Sequence, residues 1–167
     1  EILSGLVGSE MCIRDSIKTA KEMLTEIKKI KNIDIAICAA AVSDWTIDSP
    51  SNNKIKKQNT NKPVLNLSLN PDILEYISNK NDNRPRLVIG FAAETNNLIK
   101  NAKEKLKKKN CDWIVANDVS KNPEIFGGDN NCISLVTKNN VDDWDTCSKK
   151  EVAEKLAIKA IENFERN

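Results

Sequence analysis

Three short segments carry side chains that could do chemistry, and each follows an apolar run. They are Ala39-Ala40-Ala41-Val42-Ser43-Asp44-Trp45, Gly90-Phe91-Ala92-Ala93-Glu94 and Asn117-Asp118. The first two replace the run with very small residues before a carboxylate, and backbone N–H and C=O groups approach a flat ligand only where side chains are absent. Open α/β sheets bind ligands in such a crevice, outside the carboxyl ends of their strands. Parallel strands would bring the three segments to one edge. Asp44 then fixes a ligand or sits in a surface turn, and Trp45 walls the pocket or seals the sheet edge. Glu94 is expected at the opening of a helix, where a carboxylate also caps free N–H groups.

A second candidate is charge. Lys54-Ile55-Lys56-Lys57 lies in a polar, turn-rich stretch running from Ser49 to Thr60. It reads either as plain solvated surface or as a flap that closes ammonium groups over phosphates. The lysines from Lys105 to Lys109 read as a solvated helix face whose last turns suit the dipole, in preference to the alternative of ligand binding. Pro123 to Asn131 is a Gly/Asn/Asp loop with Phe126 in its middle and Asp129 and Asn130 near its end.

What the chain lacks is equally restrictive. It has no histidine, so triads that use His and zinc sites that need it are excluded. Its five glycines form neither a P-loop nor a G-x-G-x-x-G fingerprint. Five cysteines without a C-x-x-C pair read as reduced thiols and a cytoplasmic setting. A net charge of +2 points to neither nucleic acid nor membrane, and no 18-residue apolar stretch is present.

The elements that must position these residues follow from period and caps. Thr19-Ala20-Lys21-Glu22 is a capping-box pattern ahead of a helix to about Lys31. Strands are expected over Ile33 to Cys38, around Leu65, Leu67 and Leu69, and over Arg86 to Phe91, Trp113 to Ala116 and Cys132 to Val136. The leucine strand should keep one wet face. Asn70-Pro71 reads as an N-cap and first helical position for a helix ending near Asn79. Thr95 to Lys109 is a helix with Leu98, Ile99, Ala102 and Leu106 on one face. Ser148-Lys149-Lys150-Glu151 opens a closing helix striped by Val152, Ala153, Leu156, Ala160, Ile161 and Phe164. The alternation predicts an α/β, Rossmann-like three-layer domain, a mostly parallel sheet with helices on both faces.

Residues 1–16 show no clean period, and Ser9-Glu10-Met11-Cys12-Ile13-Arg14-Asp15-Ser16 looks like translated adaptor sequence. They are read as a non-native or disordered segment. Residues 17–167 are read as one partial domain.

From about Ile17 onward the chain resembles the phosphopantothenoylcysteine synthetase (phosphopantothenate–cysteine ligase) family. The resemblance rests on Thr19-Ala20-x-Glu22-Met23, Ala39 to Trp45, Lys54 to Lys57, Asn70-Pro71-Asp72-Ile73-Leu74, Gly90 to Thr95, Ala116-Asn117-Asp118-Val119 and Phe126-Gly127-Gly128-Asp129-Asn130. It implies a homodimeric ligase of coenzyme A biosynthesis that joins 4'-phosphopantothenate and L-cysteine through an acyl-cytidylate, using CTP and Mg²⁺. It further implies nucleotide binding by Ala40, Ala41, Asp44, Phe91, Ala92 and Asn117, with Asp44 a candidate metal contact. Lys54, Lys56 and Lys57 would act on phosphate, and Phe126, Asp129 and Asn130 would belong to an active-site loop. The family's opening strand, its glycine- and threonine-containing loop and its Asn-x-Ser-Ser-Gly segment do not precede Thr19. The expectation is therefore a truncated ligase domain, inactive alone, with FMN confined to an absent decarboxylase domain. The alternative is a non-catalytic nucleotide-binding or dimerising remnant.

Overall fold

The computed structural model describes residues 14–51, 53, 64–119 and 129–165. Helix α1 (Ala20–Lys29) opens with the expected capping box, since Thr19 Oγ1 accepts from the Glu22 amide while the Glu22 carboxylate accepts from the Thr19 amide. Strands β1 (Ile35–Cys38), β2 (Trp45–Ile47) and β3 (Leu67–Leu69) follow, then helix α2 (Ile73–Ser78). Strand β4 (Leu87–Glu94), helix α3 (Leu98–Lys109) and strand β5 (Trp113–Asp118) form a β-α-β unit. Strands β6 (Asn130–Asn131), β7 (Ile133–Thr137), β8 (Val141–Asp143) and β9 (Cys147–Ser148) lead to helix α4 (Lys149–Glu165).

The main sheet has the order β1-β4-β5-β7-β8. β1, β4 and β5 are parallel, while β7 and β8 add antiparallel strands on one side. One face carries Ala36, Val88, Ala92, Ile114 and Ala116 under α1, α2 and α3. The other carries Leu87, Ile89, Trp113, Val115, Ile133 and Leu135 under α4, through Val152, Leu156 and Ala160. The domain is therefore the expected three-layer α/β sandwich with a mixed, mostly parallel sheet.

Several local expectations change. Phe91 does not end β4, which runs on to Glu94 and gains a full register with β5: Ala92 opposite Ala116, Ala93 opposite Asn117, Glu94 opposite Asp118. Glu94 thus closes a strand instead of capping α3, and its carboxylate accepts from Asn101 Nδ2 at 2.9 Å. The N-cap of α2 is Asp72, not Asn70, because the Asp72 carboxylate takes the Glu75 amide at 2.8 Å. Asn70 instead ties down the β1 exit loop, donating its amide to Asp44 O and its side chain to Ser43 O.

The β2–β3 ribbon reverses the expected polarity. Leu67 and Leu69 are exposed and Ser68 is half-buried, although alternation suggested that the leucines would face inward. The period of two holds, but the ribbon is a sheet separate from the main one, and among the described residues its leucines join neither core cluster.

Candidate functional site

Parallel pairing sets the carboxyl ends of β1, β4 and β5 side by side. β1 pairs only as far as Cys38 opposite Gly90, whereas β4 continues four residues further beside β5. The shorter strand leaves a step, with Cys38 and Ala39 at its floor and Phe91 to Glu94 as its wall. Ala39, Ala40 and Ala41 are exposed and outside regular structure, so their backbone groups border this step. The convergence expected from the sequence is present.

Its members do not contribute alike. Phe91 and Ala92 lie on opposite faces of β4, Phe91 packed against the α4 cluster and Ala92 buried under the other helices. They therefore meet a common ligand through the backbone, not as paired side chains. Gly90 has a packing role. A Cβ placed on it would come 2.5 Å from Leu74 Cδ2 and 2.9 Å from Ile114 Cδ1, so its bareness admits α2 rather than a ligand. Asn117 is half-buried at the β5 end, opposite Ile133. Asp129 and Asn130 enter near the same end, where Asn130 pairs with Ser148 and Asp129 O accepts the Lys149 amide at 2.8 Å. Asp44 and Trp45 are exposed on the ribbon side of the β1 exit loop. Lys54, Lys56, Lys57 and Phe126 lie outside the described residues.

A charged group that the sequence reading assigned to a solvated helix face stands at the step. Lys105 of α3 is half-buried and donates from Nζ to Phe91 O at 2.9 Å. Lys109, one turn on, is tied to Asp72 and Glu75 of α2. Burial pushes the Asp72 carboxyl up, but the Lys109 ammonium, the Glu75 amide and the charges of Lys109 and Lys105 outweigh it and hold the carboxyl below its ordinary value. Burial likewise lowers the Lys109 ammonium, yet Asp72 and Glu75 together leave it raised. The signal for Lys105 was legible. It follows Ala102 by three and Leu98 by seven, which places it on the apolar stripe instead of the solvated face.

The thiols here are not nucleophiles. Burial, aided by the charge of Asp72, raises Cys38, and burial raises Cys111 to about 11, so both stay protonated at neutral pH. Among the described residues no group of three or more His, Cys, Asp or Glu side chains is placed to hold a metal ion. Two shallow cavities, of about 150 and 380 Å³, sit at the opposite end of the sheet. One lies around Trp113 and the Asp142–Lys159 ion pair, the other among Lys103, Lys107 and Lys138. The step offers what they do not, open backbone at the carboxyl ends of parallel strands.

The fold defines a Rossmann-like α/β domain with a mixed, mostly parallel central sheet flanked by helices. The family profile described as the DNA/pantothenate metabolism flavoprotein C-terminal domain matches residues 6–164, and the chain belongs to this family. It is 42% identical over 142 residues to the coenzyme A biosynthesis bifunctional protein CoaBC of Borreliella burgdorferi, covering 84% of this chain and 35% of that protein. It is 37% identical to a cysteine/cysteine sulfinic acid decarboxylase from an unknown prokaryotic organism, covering 87% of this chain and 40% of the relative. The crystal structure of the C-terminal domain of a CoaBC protein matches with a TM-score of 0.70 at 29% identity, over 90% of this chain and 65% of that one. The DNA/pantothenate metabolism flavoprotein from Streptococcus pneumoniae shares the fold, with a TM-score of 0.66 at 23% identity, over 90% of this chain and 72% of that one. The chain spans little more than a third of the length of these curated relatives.

These matches correct the identification drawn from the sequence. The family is described as a flavoprotein and one relative is named for decarboxylation. None of the descriptions names a ligase, a CTP-dependent step or an acyl-cytidylate. The phosphopantothenate–cysteine ligase identity and activity, CTP and Mg²⁺ as co-substrate and cofactor, and 4'-phosphopantothenate with L-cysteine as reactants are not retained. Nor is the confinement of FMN to another domain. Coenzyme A biosynthesis and pantothenate metabolism stand among the relatives' names.

A flavin can be tested against the described residues. FMN carries a phosphate dianion and a wide planar ring, so it needs neutralising donors and a flat apolar slot. The β4 and β5 ends present Glu94 and Asp118 as neighbours, and Asn101 is already held by Glu94. Neither described cavity lies at this end of the sheet. The described residues do not fit the group, and no step is derived through it. No described helix is long and apolar enough to cross a membrane.

Proposed function

We propose that this chain is a substrate-holding part of a decarboxylating coenzyme A biosynthetic flavoprotein, and that its strand-end step receives phosphopantothenoylcysteine. The observation that carries this reading is the step itself: β1 stops at Cys38 while β4 and β5 run on to Glu94 and Asp118. An extended, amide-rich ligand suits an open edge of backbone, where N–H and C=O groups pair with its amides as a strand would. The work of such a site is orientation, which converts binding into a correctly placed reacting group.

The protonated Cys38 thiol at the floor suits a site that must not exchange disulfides with a thiol-bearing ligand. Free cysteines also suit the reducing cytoplasm, where we place the protein. Calorimetric titration of phosphopantothenoylcysteine into the 167-residue chain tests the reading, with FMN titrated separately and followed by absorbance. Saturable binding of the first without stoichiometric uptake of the second is expected. A chain that binds no phosphopantothenoylcysteine overturns the substrate assignment. Stoichiometric FMN uptake overturns the fit argument and makes the step a flavin site.

A further inference from the structure

We propose that the larger cavity, at the far end of the sheet from the strand-end step, is an anion site. It takes a diphosphate group, either free or carried by a small molecule.

The cavity, of about 380 Å³, lies between the last turns of α3 and the β7–β8 turn. Lys103, Leu106, Lys107 and Asn110 form one stripe of α3, spaced by three and four residues, while Thr137 and Lys138 close the other side. Three ammonium groups thus line it from two elements, and the nearly buried Leu106 adds an apolar patch. Among the described residues no carboxylate lines the cavity, and none of the three lysines is in an ion pair. The smaller cavity nearby is the contrast. It carries Lys159, but Asp142 answers that charge at 2.8 Å. A concave surface lined by one sign of charge focuses its field and gathers ions of the other sign.

The surroundings are ordered to receive a ligand. Thr137 Oγ1 accepts from the Asn139 and Asn140 amides, and the Thr137 amide donates to Asn140 O, which fixes the turn that presents Lys138. Asn110 gives one side-chain N–H to Asn79 and keeps a second. Two ammonium groups one turn apart on a helix, with a third facing them, suit two linked phosphates, whose oxygens accept charge-assisted bonds.

The α3 dipole does not account for these lysines. Its pull on cations falls off within the last turn. That covers Lys107, but Lys103 stands more than a turn before the helix end and Lys138 is on another element.

Inorganic pyrophosphate, titrated into the 167-residue chain at about 0.15 M salt and followed by amide shifts, tests the proposal. Saturable shifts are expected at Lys107, Asn110 and Lys138. K138Q should weaken binding by about three- to fivefold, the scale of one exposed ion pair, and K103Q/K107Q/K138Q should abolish it. K108Q deletes the same charge from the same helix outside the cavity, and should bind as wild type does. All four lysines are exposed, so the variants should melt with wild type. Orthophosphate should bind more weakly than pyrophosphate. Adenosine diphosphate separates the two sources of the group. Tighter binding than pyrophosphate, with a shift at Leu106, supports a carried diphosphate, and equal or weaker binding supports the free ion. Absence of saturable shifts at the three amides would overturn the site. Equal weakening by K108Q and K138Q would reduce it to diffuse attraction by a basic helix, and equal affinity for orthophosphate would remove the diphosphate.

Discussion

Single residues divide between those whose chemistry the sequence announced and those whose role depends on what packs against them. Gly90 looked like part of a ligand-lined crevice, but its missing side chain makes room for Leu74 and Ile114. G90A should therefore cost about 1–3 kcal/mol by overpacking, read from denaturant midpoints with an unchanged slope. A loss below about 0.5 kcal/mol would show that α2 can shift at no cost. Asp44 is exposed, so Asp44→Asn should leave stability within about 0.5 kcal/mol of wild type, by the same measurement. Asp72 is where pH enters. Its folded carboxyl is held below the ordinary value, so the stabilisation is present above the unfolded pKa of about 3.9 and is lost as pH falls through the lower folded value. Asp72→Asn retains a good N-cap while removing the charge. Wild type should thus lose more stability than the variant between about pH 5 and 2 in acid melts. Parallel melting curves across that window would show that Lys109 gains nothing from Asp72. That pair was hidden from the sequence because Asp72 and Lys109 meet only when α2 crosses α3.

Elements were legible wherever their own caps and periods set them. The capping boxes at Thr19 and Ser148 both form as expected, with Ser148 Oγ accepting from the Glu151 amide and the Glu151 carboxylate taking the Ser148 amide. Thr19→Ala should cost about 1 kcal/mol of α1 stability, seen as faster amide exchange in that helix alone. Elements set by their neighbours were read less well. The expected strand ended at Phe91, and the pairing with β5 carries β4 three residues further, to Glu94. The leucines of β3 were turned inward because a period of two says which residues share a face, not whether a core lies beneath it. Trp45 is 55% exposed, Leu67 57% and Leu69 69%, on a two-stranded ribbon that is marginal by itself. Amides of Thr46 and Ser68 should accordingly exchange faster than those of Val115 and Ala116 by at least a factor on the order of 10². Comparable protection would mean that the ribbon is covered in solution.

The whole molecule was the most legible scale. Alternating helices and strands predicted a mostly parallel α/β sandwich, and that is the fold observed. The antiparallel β7 and β8 and the small antiparallel ribbons β2–β3 and β6–β9 depart from that outline, since hydrophobic period carries no direction. The biochemical identity was not legible at this scale, because one sandwich serves many chemistries. β1 holds a further consequence. Among the described residues it is bonded in the main sheet to β4 alone, and Ile35 and Ile37, 37% and 55% exposed, stand on the face that α4 covers further along. Its four residues contain no lysine, proline or bulge, the devices by which natural edges discourage unwanted pairing. An open row of amides flanked by isoleucine is a template for any strand it meets, including the same strand of another molecule. In concentrated preparations this chain should accordingly be lost as precipitate before it is lost as unfolded protein, and one lysine at Ile37 should do more for its shelf life than any repair of its core.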